Sequence, residues 1–385
     1  MVQVLGRELI KQGHKVYVVG LYPHGYGQAD YEDDQGVKVW RLRYRTDIGL
    51  IKNTYSITDI LFLKILKYTS LLHWDSKLST KSLFDLIRKL IDEYSIEVIE
   101  IPDWNTFLQN SFAKTEIPVF KIPLVVKLHG SYSYLANEMT RPFNRRVFLS
   151  EKALLNRADA LSSVSLYTAC ETKKLFDITK QISILHNSIN VEPGIVSDRF
   201  EDKVIFSGAL VKTKGIHSLL KAWNIIHREF PAVTLHLFGK GPVKQIKKMI
   251  EKDVLASVQF HGHISREILL KELSTAAIAI FPSYSECFSI APLEAMAAGC
   301  AVIYTSRSSG PELISDRENG LLIDPDDINS IVNAVELLIT NKDIRIKIAE
   351  MGRKLVSEKF NVIYAAQQHT EFYSRVIDEF RNKRQ

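Results

Sequence analysis

Short apolar runs rich in valine, isoleucine and phenylalanine recur along the chain, separated by stretches in which apolar residues return at helical spacing. The runs predict strands at Lys15–Gly20, Val37–Leu42, Glu97–Ile101, Leu124–Leu128, Ala160–Val164 and Ile182–Leu185. A second series falls at Val204–Ser207, Thr234–Phe238, Val258–His261, Ala277–Phe281, Ala301–Tyr304 and Gly320–Ile323. The spacers read as amphipathic helices; Ile216, Leu219, Leu220, Trp223, Ile226 and Phe230 share one face, and the opening VQVLGRELIKQGHK has the same character. Strand–helix alternation of this kind predicts an α/β protein, its parallel sheets covered by helices on both faces. The polar stretch VEPGIVSDRFEDK, with Pro193 and Gly194, interrupts the pattern. It divides an N-terminal domain (1–190) and a linker (191–202) from a C-terminal domain (203–360), and the last helical period (361–385) is expected to cross back onto the first domain.

Composition narrows the class without choosing a function. At 385 residues the chain suits two cores of common size, and 46% hydrophobic against 24% charged residues is the balance of a globular protein. Cys170, Cys287 and Cys300 are an odd number without metal-ligand spacing, which argues for a reducing compartment. The start lacks the apolar core of a secretory signal, and stretches such as Leu273–Ser285 and Ala295–Ser306 are too short and too broken to span a bilayer. A cytoplasmic location is expected, with the inner membrane face as a further option. A net charge of +6 mildly favours anionic partners, although a basic protein needs none. The charge is spread without interleaved aromatics, which argues against nucleic acid.

In an open parallel sheet, ligands bind beyond the carboxyl ends of the strands, where loops meet helix N-termini. Four such loops in the second domain are candidates. SGALVKTKGIHSLL places Gly208 at a strand end and Lys214–Gly215 at a helix start, which suits a phosphate; a solvated lysine explains the same residues. SYSECFSIAPLEAMAAG sets Glu286 before a helix and Glu294 within it, and the amides of Phe288, Ser289 and Ile290 open that helix. A carboxylate beside a phosphate is repulsive, so the two glutamates suit sugar and ribose hydroxyls. The plainer reading makes Glu286 a helix cap and Glu294 a surface residue. FGKGP, with Gly239 and Gly241, and FHGHI, with Gly262, His263 and Ile264, would let backbone approach a flat base, or are ordinary turns. In the first domain, LHGSY puts His129 at a strand end, where a neutral imidazole suits a transferring sugar, or where a lone histidine is just a polar strand-end residue.

Taken in order, these segments resemble family 4 of the glycosyltransferases, the retaining family with the two-domain, Rossmann-like GT-B fold. The resemblance runs from KQGHKV through His129–Gly130, RADALSSVS, LHNSIN, Lys214–Gly215 and PSYSECFSIAPLEAMAAG to SSGPELI and ENGLLIDP. It implies a nucleotide-sugar donor and a glycan or lipid-linked acceptor, with no cofactor and no metal. Lys214 and the amides after Cys287 would face the diphosphate, Glu294 the ribose, Glu286 the donor sugar, and His129 the transferred sugar. Gly208, Gly239, Gly241, His263 and Ile264 would complete the donor site. Two departures stand out: Ala209 occupies the position of a usual phosphate-binding arginine, leaving Lys212 or Arg307 as stand-ins, and the family's opening strand and glycine-rich loop are not matched. The latter is read as a start lying upstream of this sequence. A non-catalytic homologue is the alternative. The basic, apolar segment Trp40–Trp74 is either a surface for anionic lipid or an ordinary packed helix.

Overall fold

The structure, a computed structural model, describes residues 2–47, 57–69, 71–105, 117–191 and 200–384. Most of the expected linker (192–199) and parts of the basic segment (48–56 and 70) lie outside the described residues. Two compact units emerge. The first comprises Met1–Val164, Thr168–Leu185 and Ala366–Gln385; the second comprises Ser165–Tyr167 and His186–Ala365. The division falls at Leu185 because Ile189 already pairs with Asn361, its amide donating to the Phe360 carbonyl at 3.0 Å and its carbonyl accepting from Val362 at 2.9 Å.

In the first unit, α1 (Val2–Lys11) leads to β1 (Tyr17–Tyr22), β2 (Tyr31–Asp34) and β3 (Val37–Arg43). Then come α2 (Ile57–Tyr68), α3 (Leu71–Tyr94), β4 (Ile99–Pro102), β5 (Leu124–Leu128), α4 (Tyr132–Glu138), α5 (Arg145–Arg157), β6 (Ala160–Ser163), α6 (Leu166–Phe176) and β7 (Ile182–Ile184). The strands form two sheets, ordered β1-β3-β2 and β4-β5-β6-β7. β2 departs from the all-parallel expectation: it runs antiparallel to β3, joined by a turn in which Gln35 and Gly36 take φ of 55° and 90°. YEDDQGVKV is too acidic in its first half to register as a strand, and the turn rests on the positive φ of Gln35 and Gly36 that a two-residue hairpin requires. The core is built on Leu83, Phe84, Val126, Leu128, Leu154, Leu161 and Phe176. A cavity of about 870 Å³ lies beside it, walled by β1, β4, α3 and the final helix.

The second unit holds one continuous sheet, ordered β10-β9-β8-β11-β12-β13 and parallel throughout. Its elements are β8 (Phe200–Ser207), α7 (Ile216–Glu229), β9 (Thr234–Phe238), α8 (Val243–Ile246), β10 (Val258–Gly262), α9 (Arg266–Thr275), β11 (Ala276–Phe281), α10 (Ile290–Ala297), β12 (Ala301–Thr305), α11 (Gly310–Leu313), β13 (Leu321–Ile323), α12 (Ile328–Thr340) and α13 (Lys342–Lys359). β11 is buried at every residue, as a central parallel strand must be. The α7 stripe read from the sequence packs on this sheet; Ile216, Leu219, Leu220, Trp223 and Ile226 are fully buried, and the Trp223 indole donates to Ser257 Oγ at 3.0 Å. The last helix, α14 (Val362–Asn382), belongs to the first unit from Ala366 onward.

Candidate functional site

Loops at the carboxyl ends of β8 and β11 are fastened together by backbone. Tyr284 N donates to the Thr213 carbonyl at 2.9 Å, and Gly215, at φ 74°, lies so close to Pro282 that a Cβ would stand 1.7 Å from its carbonyl oxygen. Glycine is obligatory there, and the contact carries the preceding Lys214 to the second loop. Lys214 Nζ donates to Glu286 Oε1 at 2.7 Å, and Ser283 Oγ donates to the same oxygen at 2.7 Å. The Glu286 amide donates to Ser308 Oγ (2.9 Å), while its carbonyl accepts from Ser309 Oγ (3.1 Å), so the SSGPEL segment steadies this residue from below.

Neither glutamate takes the plainer role. Ser289, not Glu286, stands at the N-cap of α10, and Glu294 is 8% exposed rather than a surface residue. Arg266 Nε donates to Glu294 Oε1 at 2.6 Å. Arg266 was not among the residues expected from sequence; nothing in HISREIL distinguishes it from a solvated helix-start cation. It directly follows the loop bearing His263, which is exposed, and Ile264, which is half-buried. Phe288, Ser289 and Ile290 open α10 as expected, and the Phe288 carbonyl accepts from Asn187 Nδ2 at 2.9 Å, bringing LHNSIN to the same place.

The glycines serve the protein's own packing first. A Cβ on Gly239 would stand 1.8 Å from the Gly208 carbonyl oxygen, and one on Gly241 would stand 2.5 Å from the Leu210 Cβ. Gly208 N donates to Phe238 O at 2.9 Å, and Gly239 N donates to Gly262 O at 2.7 Å. The strand-end loops of β8, β9 and β10 are thus packed backbone on backbone. Of the stand-ins for the arginine absent at Ala209, Arg307 donates from Nη2 to Asp324 Oδ1 and Asp326 Oδ2, both at 2.7 Å. Lys212 is exposed.

His129 lies in the first unit, directly after β5. Burial and the nearby Lys127 ammonium push its imidazole down to about 4, so it is neutral at physiological pH. Its amide donates to Asp103 Oδ1 at 2.8 Å. No helix among the described residues is long and apolar enough to cross a membrane. The residues lining the first unit's cavity include none of the expected donor-binding residues and not His129.

Comparison with known proteins identifies the family. Residues 1–193 match the model of "Glycosyltransferase Family 4", and residues 195–355 that of "Glycosyl transferases group 1". An uncharacterized glycosyltransferase of Methanocaldococcus jannaschii is 24% identical over 392 residues, covering 97% of this chain and 93% of its own. Glycogen synthase of Mycobacterium tuberculosis is 24% identical over 250 residues, 63% of this chain and 60% of its own. Among solved structures, HepE of Anabaena in complex with UDP superposes with a TM-score of 0.68 at 18% identity, covering 97% of this chain and 96% of that one. The chain belongs to glycosyltransferase family 4 and has the GT-B fold.

Proposed function

We propose that this glycosyltransferase moves a sugar, with retention of configuration, from a nucleotide-sugar donor to a glycan or lipid-linked acceptor. The observation that carries the reading is the pair of buried carboxylates at α10, Glu286 and Glu294, each bonded to a partly exposed basic side chain. Cations in such places are exchangeable: an incoming diphosphate takes Lys214, freeing Glu286 for the donor sugar's hydroxyls. The amides of Phe288, Ser289 and Ile290 add partial positive charge at the same point. Glu294 is assigned the ribose and His129 the transferred sugar. Front-face displacement needs charge stabilisation on the leaving diphosphate rather than a strong base, so Lys214 and the amides serve without a metal. With alanine at 209, Lys214 takes up part of the load an arginine there would share, with Arg307, whose two aspartate partners are solvent-exposed, as a further cation.

Leu61, Ile65, Tyr68, Leu71 and Trp74 are exposed along α2 and the start of α3, beside the exposed Lys64. This favours a cytoplasmic enzyme that meets its acceptor at an anionic membrane face. Equal flotation with neutral and anionic vesicles would remove that part of the reading. Ala209 favours the alternative, a non-catalytic homologue that binds nucleotide sugar or a partner.

The deciding experiment is a thermal-shift screen of UDP-, GDP-, ADP- and dTDP-sugars against wild type and Glu294→Ala. HepE was solved with UDP, so the uridine series is screened first. At a hundred times its dissociation constant a donor stabilises by roughly 2.7 kcal/mol. Stabilisation of wild type alone by one nucleotide class supports the site and names the base; no shift by any donor on folded protein favours the non-catalytic reading.

A further inference from the structure

Two buried carboxylates hold the backbone that carries His129. Asp103, just after β4, accepts from the amides of His129 (2.8 Å, to Oδ1) and Gly130 (3.2 Å, to Oδ2). Glu151, on α5, accepts from Tyr132 (2.9 Å, to Oε1) and Ser133 (3.2 Å, to Oε2). Four amides in the span 129–133 thus end on four carboxylate oxygens. Asp103 and Glu151 are each 3% exposed, and among the described residues no lysine or arginine is seen bonded to either. The Asp103 amide in turn donates to the Lys127 carbonyl at 2.9 Å, tying the end of β4 to β5.

This is a costly way to make a turn. Burying anions without cations is unfavourable, and a serine or asparagine satisfies a helix start for less. The same loop shows the cheaper device one residue on, where Ser131 Oγ accepts from Tyr134 at 3.3 Å. An acceptor-only group with two oxygens has one advantage over an amide side chain: it receives two consecutive N–H groups and so fixes the orientation of both peptides. Gly130, at φ 92°, makes the sharp turn that sets those peptides side by side. The side chain carried at the start of this turn is the imidazole of His129.

We propose that Asp103 and Glu151 are positioning residues for His129, a two-carboxylate clamp that fixes the imidazole before the sugar arrives. The proposal rests on the assignment of His129 to the transferred sugar. Burial, opposed by these amide bonds and reinforced by the neighbouring Glu151, lifts the Asp103 carboxyl to about 7, and burial lifts Glu151 as well. Protonation replaces an acceptor with a donor, so Asp103→Asn and Glu151→Gln imitate the released clamp with little change of shape.

The test uses the full chain and the sugar nucleotide that stabilises it, following release of the nucleoside diphosphate. His129→Ala is measured first. Asp103→Asn is then expected to lower kcat by about 10- to 100-fold, the scale for a small misplacement of a reacting group, with the donor KM little changed. In the His129→Ala background the same change should have no further effect, since a residue that acts through His129 loses its role with it. A full additional loss in that background, or a rise in KM at unchanged kcat, overturns the proposal. Glu151→Gln repeats the cycle should Asp103→Asn fold poorly. NMR supplies a readout free of turnover: the His129 and Gly130 amide protons should shift together as Asp103 titrates near pH 7, and stay still in Asp103→Asn. Amides that ignore that titration overturn the clamp. If His129→Ala leaves kcat unchanged, the sugar assignment falls, and the amide titration alone judges the clamp.

Discussion

Two pairs of buried carboxylates, one pair in each unit, are satisfied in opposite ways. In the second, Glu286 and Glu294 are met by side chains, Lys214 and Arg266, that are themselves 34% and 49% exposed. In the first, Asp103 and Glu151 are met by backbone N–H groups of one loop. A flexible cation can leave when a better anion arrives, whereas a peptide amide cannot leave without unmaking the turn. The difference separates groups that exchange partners on binding from groups that hold shape. The scaffolds differ in the same sense. The second unit is one unbroken sheet of six strands, and the first is two sheets with a cavity of about 870 Å³ along the edges of β1 and β4.

The largest expected effect probes the scaffolds. Trp223→Ala empties the centre of the second core and removes a bond to Ser257, and it should cost about 3–5 kcal/mol by urea unfolding. Leu83→Ala, in the core of the first unit, should cost about 2–5 kcal/mol. A cost below about 1 kcal/mol at either site would show that the residue is not packed as its burial implies.

Next in size is the pH dependence, which should reside in the first unit. Asp103 has a folded value near 7 against an ordinary 3.8, so its stabilising contribution is complete below about 4 and is lost as pH rises through 7. Relative to Asp103→Asn, wild type should lose on the order of 3 kcal/mol between pH 4 and 8. His129 works the other way. Its value falls from 6.5 to about 4, so its contribution is present above 6.5 and lost on acidification towards 4. His129→Ala should therefore flatten the acid side of the urea-midpoint profile. Parallel profiles for wild type and both variants would show that neither group is as confined as its burial implies.

The smallest effect tests exchangeability. Arg266→Ala should change stability by about 1 kcal/mol or less, since half of the arginine is in water. A loss several times larger would show that Glu294 depends on Arg266 to stay buried, and that the pair is structural.

Much of this was legible in the chain. The twelve strands read from apolar runs are all present; the cause is clearest in β11 and β12, parallel strands buried at every residue, which leave an uninterrupted hydrophobic signature. β2 escaped because an exposed, acidic hairpin strand has none. In the second unit, Lys214 and Glu286 were expected at one place, and the glycine between strand and helix is what brings them there. Arg266, Asp103 and Glu151 were not foreseen. Their partners lie 28, 26 and 19 residues away in sequence, and a lone charged residue looks the same whether it is solvated or buried against a loop.

Gly239, with φ 147°, leaves no space for any side chain against Gly208. In evolutionary terms the loops after β8 and β9 are inherited as a single unit. A substitution at 239 survives only if the chain at 208 moves, and a shift at 208 unseats β10 through the Gly239–Gly262 bond. Lineages that alter what this edge of the sheet recognises must therefore diversify at neighbours with room to vary. Ala209 and His263, both exposed, are the open positions, so variation among relatives should concentrate there while the glycine frame stays fixed.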